Sequence, residues 1–365
     1  MNNFTDNYKK ELENFAYMSQ AVGSRNDYIQ GGGGNTSVKL DGQLMAIKAS
    51  GYCLSDIRTD NAYAVLDYAA LKQFYFENQP QSFEDVEKAG AEKAKSAVKA
   101  VEGMAQLRPS VEAGFHSILK KYVVHSHSVY ANMAACAAEC KQIAAKALAD
   151  AGYTWGFVSY TDPGARLTFS IRDELMRVEA EKGEMPTVLL MGNHGLIVHH
   201  DDHMEALRIH EEVNERIAGV FNITNHAFPA VSVRESADGL FITDAPYLEA
   251  HLKSGRYGRK EFLEEALYPD QLVFLTGTFF LGESSSKPEP GTCVTDTASG
   301  KVVCNLNQSM AQTIAETLTA VIFIRESLEK NRFTLSSMGE AAKLFIANWE
   351  SEKYRKSLAG KQNQK

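Results

Sequence analysis

Two apolar runs in this chain each end in histidine. Tyr122-Val123-Val124 leads into His125-Ser126-His127, and Thr187-Val188-Leu189-Leu190-Met191 leads through Gly192 and Asn193 to His194-Gly195. Side chains two apart on a strand share a face, so His125 and His127 point together while Ser126 points away. Three imidazoles delivered by two strand ends can build a three-nitrogen metal site with one coordination position open, the form a catalytic zinc takes. Gly192 and Gly195 beside His194 let backbone and substrate come close.

Pro109 introduces a helix expected over 111–121, with Phe115, Ile118 and Leu119 as its buried side. Glu112 lies in its first turn, directly upstream of the first histidine strand. Folded back onto the sheet, that helix brings the carboxylate near the same metal, as a fourth ligand or a general base. A glutamate there also suits the helix dipole in its own right. His116, one turn later, is read as structural. His199, His200 and His203, beside Asp201 and Asp202, look like a second cluster but are read as the solvated start of a helix.

Gly31 to Gly34 and Asn35-Thr36-Ser37 run into a hairpin in which Asp41-Gly42 separates two short apolar runs. The glycines therefore lie beside one strand, and Lys48-Ala49-Ser50-Gly51 ends its partner. Backbone N–H groups, hydroxyls and a lysine gathered in this way suit an anion. The stretch is not a nucleotide P-loop, because no Gly-Lys-Ser/Thr follows, and GxGxxG spacing after a strand is absent.

At 365 residues the chain exceeds the usual span of one domain, and near Phe228-Pro229 the pattern changes to short strands, loops and two terminal helices, 307–330 and 336–357. The expected division is 1–227, a metal-binding catalytic domain, and 228–365, an accessory domain of scaffold, interface or lid character. Helices are expected over 6–22, 129–151, 170–182 and 201–220, with 79–103 an exposed helix or insertion without chemistry. A net charge of −8 and the lack of any Lys/Arg stripe argue against a nucleic-acid partner and against an anionic membrane surface. No run is long and apolar enough to cross a bilayer, and the amino terminus lacks a basic stretch followed by an apolar one, so the expected location is the cytoplasm. Five cysteines are an odd count, read as free thiols in a reducing compartment, with Cys136 and Cys140 assigned to packing.

Taken in order, Gly33-Gly34-Asn35-Thr36-Ser37, Lys48-Ala49-Ser50-Gly51, Pro109-Ser110-Val111-Glu112, His125-Ser126-His127 and Asn193-His194-Gly195-Leu196-Ile197 resemble the class II aldolase/adducin family, over about 15–227. Within it the chain is similar to sugar-phosphate aldolases such as fuculose-phosphate aldolase. Asp162-Pro163-Gly164 resembles the aldolase half of rhamnulose-phosphate aldolase/dehydrogenase fusions, and residues about 228–365, including Tyr268-Pro269-Asp270, faintly resemble the segment that follows in those fusions.

The resemblance implies an α/β fold with a mostly antiparallel central sheet sandwiched between helix layers, followed by a smaller α+β domain, in a homo-oligomer such as a tetramer. It implies that His125, His127 and His194 ligate Zn2+ or another divalent metal and that Glu112 is the acid/base. It also implies that Gly34, Asn35, Ser50, Gly51 and Ser110 hold the phosphate of a small sugar phosphate. Val111 departs from the pattern, since fuculose-phosphate aldolase has a serine there. The implied reaction is reversible cleavage of a ketose phosphate to dihydroxyacetone phosphate and an aldehyde. Epimerisation or decarboxylation through the same enediolate is the alternative, and a non-catalytic adducin-like binding module is the reading from another class. Tyr130 and Tyr160 are the candidates for a proton-donating tyrosine. No dinucleotide fingerprint occurs in 228–365, which argues against a dehydrogenase.

Overall fold

The computed structural model describes residues 4–282 and 287–348. Its frame is a 7-stranded sheet of β1 (Asn35–Lys39), β2 (Leu44–Lys48), β3 (Tyr63–Asp67), β4 (Tyr122–Ser126), β5 (Trp155–Val158), β6 (Val188–Met191) and β7 (Gly195–His200), in the order β3-β2-β1-β4-β7-β6-β5. Every neighbouring pair is antiparallel except β5 and β6, so the expected α/β class with a mostly antiparallel sheet is the fold observed. The hairpin at Asp41-Gly42 joins β1 to β2, with Asp41 Oδ1 accepting from the backbone of Gln43 and Leu44, each at 2.7 Å.

The helices of this part are α1 (Phe4–Asn7), α2 (Lys9–Gly23), α3 (Tyr68–Glu77), α4 (Val86–Ala97), α5 (Ala113–Ile118), α6 (Val129–Ala135), α7 (Cys140–Ala147), α8 (Ala165–Lys182) and α9 (His203–Val220). Alternation along the strands decides which layer each side chain serves. Tyr122 and Val124 of β4 and Leu196 and Val198 of β7 join a core with Leu12 and Phe15 of α2 and Ile209 and Val213 of α9. Val123 and Ile197 face the other way, onto Phe115 and Ile118 of α5 and Leu167 and Phe169 of α8. Each such side chain contributes about 1.5–3 kcal/mol when fully buried. A one-residue slip of β4 would exchange the two sets and turn His125 to the wrong layer.

Three expectations are corrected by contacts between distant segments. The alanine-rich stretch 129–151 is not one helix but α6 and α7. At the break, Ala138 N–H donates to the Thr334 carbonyl at 2.8 Å and Ser336 N–H to the Cys136 carbonyl at 2.7 Å, so backbone groups that a continuous helix would use are paired elsewhere. His199 is not solvated: β7 extends through His200 and carries His199 into the interior, leaving His200 and His203 partly exposed. The reading of five free thiols also fails, because the register of two later strands sets Cys293 opposite Cys304 with Cα atoms 4.0 Å apart, and they form a disulfide. Cys53, Cys136 and Cys140 are free, the last two buried as expected.

The stretch 79–103 holds α4, which does structural work at a distance. Glu87 accepts from the backbone N–H groups of Ala165 (2.8 Å) and Arg166 (2.9 Å), and so caps α8. Burial pushes its carboxyl above the usual range even with those bonds. The preceding Gly164 has φ 140, and a Cβ there would lie 2.1 Å from Glu87 Oε2. Glu87→Ala is expected to lower stability by about 1–2 kcal/mol, the usual cost of losing a helix cap, read from urea denaturation. An unchanged midpoint would show that α8 does not depend on this cap.

Beyond α9, a 5-stranded sheet in the order β10-β11-β12-β9-β8 is built from β8 (Ser232–Glu235), β9 (Phe241–Asp244), β10 (Phe279–Leu281), β11 (Cys293–Asp296) and β12 (Lys301–Cys304). It is accompanied by α10 (Pro246–Lys253), α11 (Pro269–Leu275), α12 (Gln308–Lys330) and α13 (Glu340–Asn348). Of the helix expected over 336–357, the part after 348 lies outside the described residues. Ile314, Leu318 and Ile322 of α12 belong to the same apolar cluster as Tyr130, Met133 and Ala134 of α6. Among the described residues no helix is long and apolar enough to cross a membrane.

Candidate metal centre

β1, β4 and β7 are neighbours, and their register sets what meets at the sheet end. Asn35 pairs with His125, and His125 with Ile197. His194 stands in the tight turn between β6 and β7, after Asn193 at φ 49. Gly195 closes that turn against β4, where a Cβ would lie 2.3 Å from the Ser126 carbonyl oxygen. As a result His125, His127 and His194, at 0%, 5% and 2% exposure, each offer a ligand atom, and these atoms all lie within 4.8 Å of one another. Ser126 turns to the opposite face and meets His210 Nε2 at 2.7 Å.

The other ring nitrogens decide where the lone pairs point. His125 Nδ1 donates to the Leu196 carbonyl at 3.0 Å, and His127 Nδ1 donates to Asp270 Oδ2 at 2.5 Å. A carbonyl and a carboxylate can only accept, so Nδ1 is the donor in both rings, and in the neutral tautomer this leaves each Nε2 with its lone pair. Those two Nε2 atoms stand 3.1 Å apart. Burial, the largest influence, pushes the pKa of His125 well below the usual histidine value, so a proton is a poor occupant of that gap.

Glu112 completes the group. Its Oε1 is 3.2 Å from His194 Nε2 and its Oε2 is 3.5 Å from His125 Nε2. Glu112 Oε1 and His194 Nδ1 are buried without a hydrogen-bond partner. Facing lone pairs, an enclosed carboxylate and unused polar atoms are costly without a cation and suit a divalent one.

Asn35 aims this carboxylate. Its Nδ2 donates to Glu112 Oε2 at 2.5 Å and to Ser110 Oγ at 3.1 Å, and the Glu112 backbone N–H reaches the same Oγ at 3.3 Å. Asn35 Oδ1 is bonded to His116 Nε2, while His116 Nδ1 meets Ser37 Oγ at 2.7 Å. Burial takes the His116 pKa down to about 3, so it is neutral and structural, as expected from the sequence.

One pocket gathers the expected anion-binding residues Gly34, Asn35, Ser50, Gly51 and Ser110 with Glu112, His127 and His194. Val111 lines it too, bringing no hydroxyl. So does Lys48, whose buried Nζ donates to the carbonyls of Gly32 (3.1 Å) and Tyr52 (2.7 Å). The far wall, made by Pro163, Pro269, Asp270 and Val273, was not foreseen. Its signal was Tyr268-Pro269-Asp270, a proline opening a helix with an acid in the first turn, but nothing in that motif names His127 as the partner.

Neither tyrosine candidate lines the pocket. Tyr130 lies in the core, its hydroxyl donating to Asp27 at 3.2 Å and accepting from the Phe228 N–H at 3.1 Å. Tyr160 donates to Asp162 at 3.2 Å and packs against the apolar cluster around Val273 and Phe274.

Residues 13–220 match the family described as Class II Aldolase and Adducin N-terminal domain. Among solved structures the chain is similar to the N-terminal class II aldolase domain of a conserved protein from Thermoplasma acidophilum, at 22% identity and a TM-score of 0.47, over 57% of this chain and 92% of that one. It is also similar to an L-fuculose 1-phosphate aldolase, at 19% identity and a TM-score of 0.38, over 57% of this chain and 83% of that one. A sugar-phosphate aldolase from Thermotoga maritima is a third, at 14% identity and a TM-score of 0.39, over 59% and 96% respectively. Comparison with curated proteins gives no match.

Proposed function

The chain belongs to the class II aldolase and adducin family, and from that premise we propose that it is a zinc-dependent lyase. In this reading it cleaves a ketose phosphate reversibly to dihydroxyacetone phosphate and an aldehyde. The observation that carries the reading is the position of Glu112, between the three-histidine cluster and the anion-binding wall of one pocket.

His125, His127 and His194 would hold the zinc ion, which when bound supplies Lewis-acid polarisation of the substrate carbonyl. Gly34, Asn35, Ser50, Gly51 and Ser110 hold the phosphate through N–H groups and hydroxyls, and Lys48 adds positive charge where Val111 offers nothing. When the carbon–carbon bond breaks, its electron pair stays with the fragment that keeps the carbonyl. In the cleavage direction Glu112 enters as the carboxylic acid, its proton taken from solvent before the substrate fills the pocket, and gives that proton to this carbon; in the synthetic direction the carboxylate removes it from the same carbon. Asn35 and Ser110 keep the carboxylate aimed, while Pro163, Pro269 and Val273 shield it from water.

In this reading, as the family resemblance implies, the proton exchange at the aldehyde end falls to a neighbouring subunit of a homo-oligomer, a tetramer. Residues 1–227 are then the catalytic domain, and 228–365 an accessory one that closes it.

The test is a panel of ketose phosphates given to the zinc-loaded protein, with triose phosphate release as the readout. Epimers or carbon dioxide in place of triose phosphate would move the reaction to epimerisation or decarboxylation. A purified protein that takes up no metal would return the binding-module reading. With a substrate in hand, Lys48→Met is expected to raise KM about 10–100-fold, the worth of one hydrogen bond to a charged group, with kcat little changed. Equal effects on the phosphorylated and the free sugar would take Lys48 out of phosphate binding.

A further inference from the structure

Asp270 lies outside the stretch 13–220 that matches the family, yet it makes the second bond of a histidine in the cluster. The contact joins positions 143 apart in the chain, and both side chains are buried. We propose that Asp270 is a positioning residue of the metal centre. By accepting from His127 Nδ1 it fixes the tautomer that turns the Nε2 lone pair inward, and it strengthens that nitrogen as a ligand. The proposal rests on the reading that the three imidazoles hold a metal ion. A carboxylate behind a ligating imidazole fixes ring orientation and raises ligand basicity. His125 has only the Leu196 backbone carbonyl in the equivalent place.

Two further observations point to the same pair. At Gly33 an added Cβ would lie 2.1 Å from Asp270 Oδ2 and 3.0 Å from His127 Nδ1, so the glycine leaves the space in which carboxylate and imidazole meet. The glycine run is therefore a seat for the later segment as well as an anion wall.

The turn that carries Asp270 is also fixed from both sides. Gln271 accepts from the Leu267 N–H at 2.8 Å and donates to the carbonyls of Glu261 (2.8 Å) and Phe262 (3.0 Å). Asn193, next to His194, donates to the Leu267 carbonyl at 2.9 Å, and Tyr268 donates to Gln30 at 3.2 Å. Two histidine turns and the glycine loop are thus tied to one short stretch of backbone, and Asp270 is the member of that stretch that bonds a cluster imidazole.

The experiment is a zinc titration in competition with a chelator of known affinity, on the full chain and on D270N and D270A, at one neutral pH. The melting of the zinc-free proteins and the visible spectrum of the Co2+-loaded proteins are recorded alongside. The expected result is zinc affinity lowered about 10–100-fold in both variants, an altered Co2+ spectrum and unchanged melting of the zinc-free protein. Should D270N not fold, D270A, which removes the carboxyl and adds no heavy atom, carries the same measurement. Variants that bind zinc as tightly as the parent, or that only melt earlier when zinc-free, would overturn the proposal and leave Asp270 a packing residue. A parent protein that binds no zinc would instead sink the metal reading beneath it, and needs no variant to be seen.

Discussion

Glu112→Gln is expected to lower turnover by about 10²–10⁴-fold, the usual contribution of a positioned proton-transfer group, with zinc still bound. The substitution keeps the shape of the side chain, and its amide oxygen can still accept from Asn35 Nδ2, which now lies 2.5 Å from Oε2. What it removes is the proton carried between carboxyl and substrate carbon. Three imidazoles remain to hold the ion, so zinc content, measured by elemental analysis, stays near one per chain while triose phosphate release collapses. Exchange of the α-hydrogen of dihydroxyacetone phosphate with solvent should fall in step, because it requires the same proton transfer without the carbon–carbon step. Turnover within a few-fold of the parent would remove Glu112 from the mechanism.

Removing an imidazole has an effect of another kind. His194→Ala is expected to abolish both stoichiometric zinc and activity, since the remaining pair of histidines cannot supply three nitrogens. The fold should survive, because the turn is held by Asn193 bonds to the Leu267 carbonyl (2.9 Å) and the Ser336 carbonyl (2.8 Å) and by the close seat of Gly195 on β4. The clearest readout is linkage: zinc at about a hundred times its dissociation constant stabilises the parent by about 2.7 kcal/mol, and should give the variant no such increment. A variant that keeps one zinc per chain and turns over normally would mean that the three histidines are not the metal site.

Features fixed by local periodicity were legible in the sequence. Strand alternation put His125 and His127 on one face and Ser126 on the other, and Asp41-Gly42 marked its hairpin, because both are set within a few residues. Asn35, Ser50, Gly51 and Ser110 were readable from motifs, and all four line the pocket with Glu112. Features that depend on partners far along the chain were not legible. The break between α6 and α7 answers to residues 334–336, the burial of His199 to the length of β7, and the Cys293–Cys304 disulfide to a strand register. Asp270 was missed for the same reason, since its helix is ordinary and its significance lies in which imidazole it reaches.

The packing of α12 against α6, with the Tyr130 and Phe323 ring centroids 6.2 Å apart, has a consequence for how such a protein can change over time. The helix that follows the His125-Ser126-His127 strand has no solvent face of its own, because its outer side is covered by a stretch encoded nearly two hundred codons downstream. A change of side-chain volume in either stretch therefore has to be met by the other, as expected of close-packed helices.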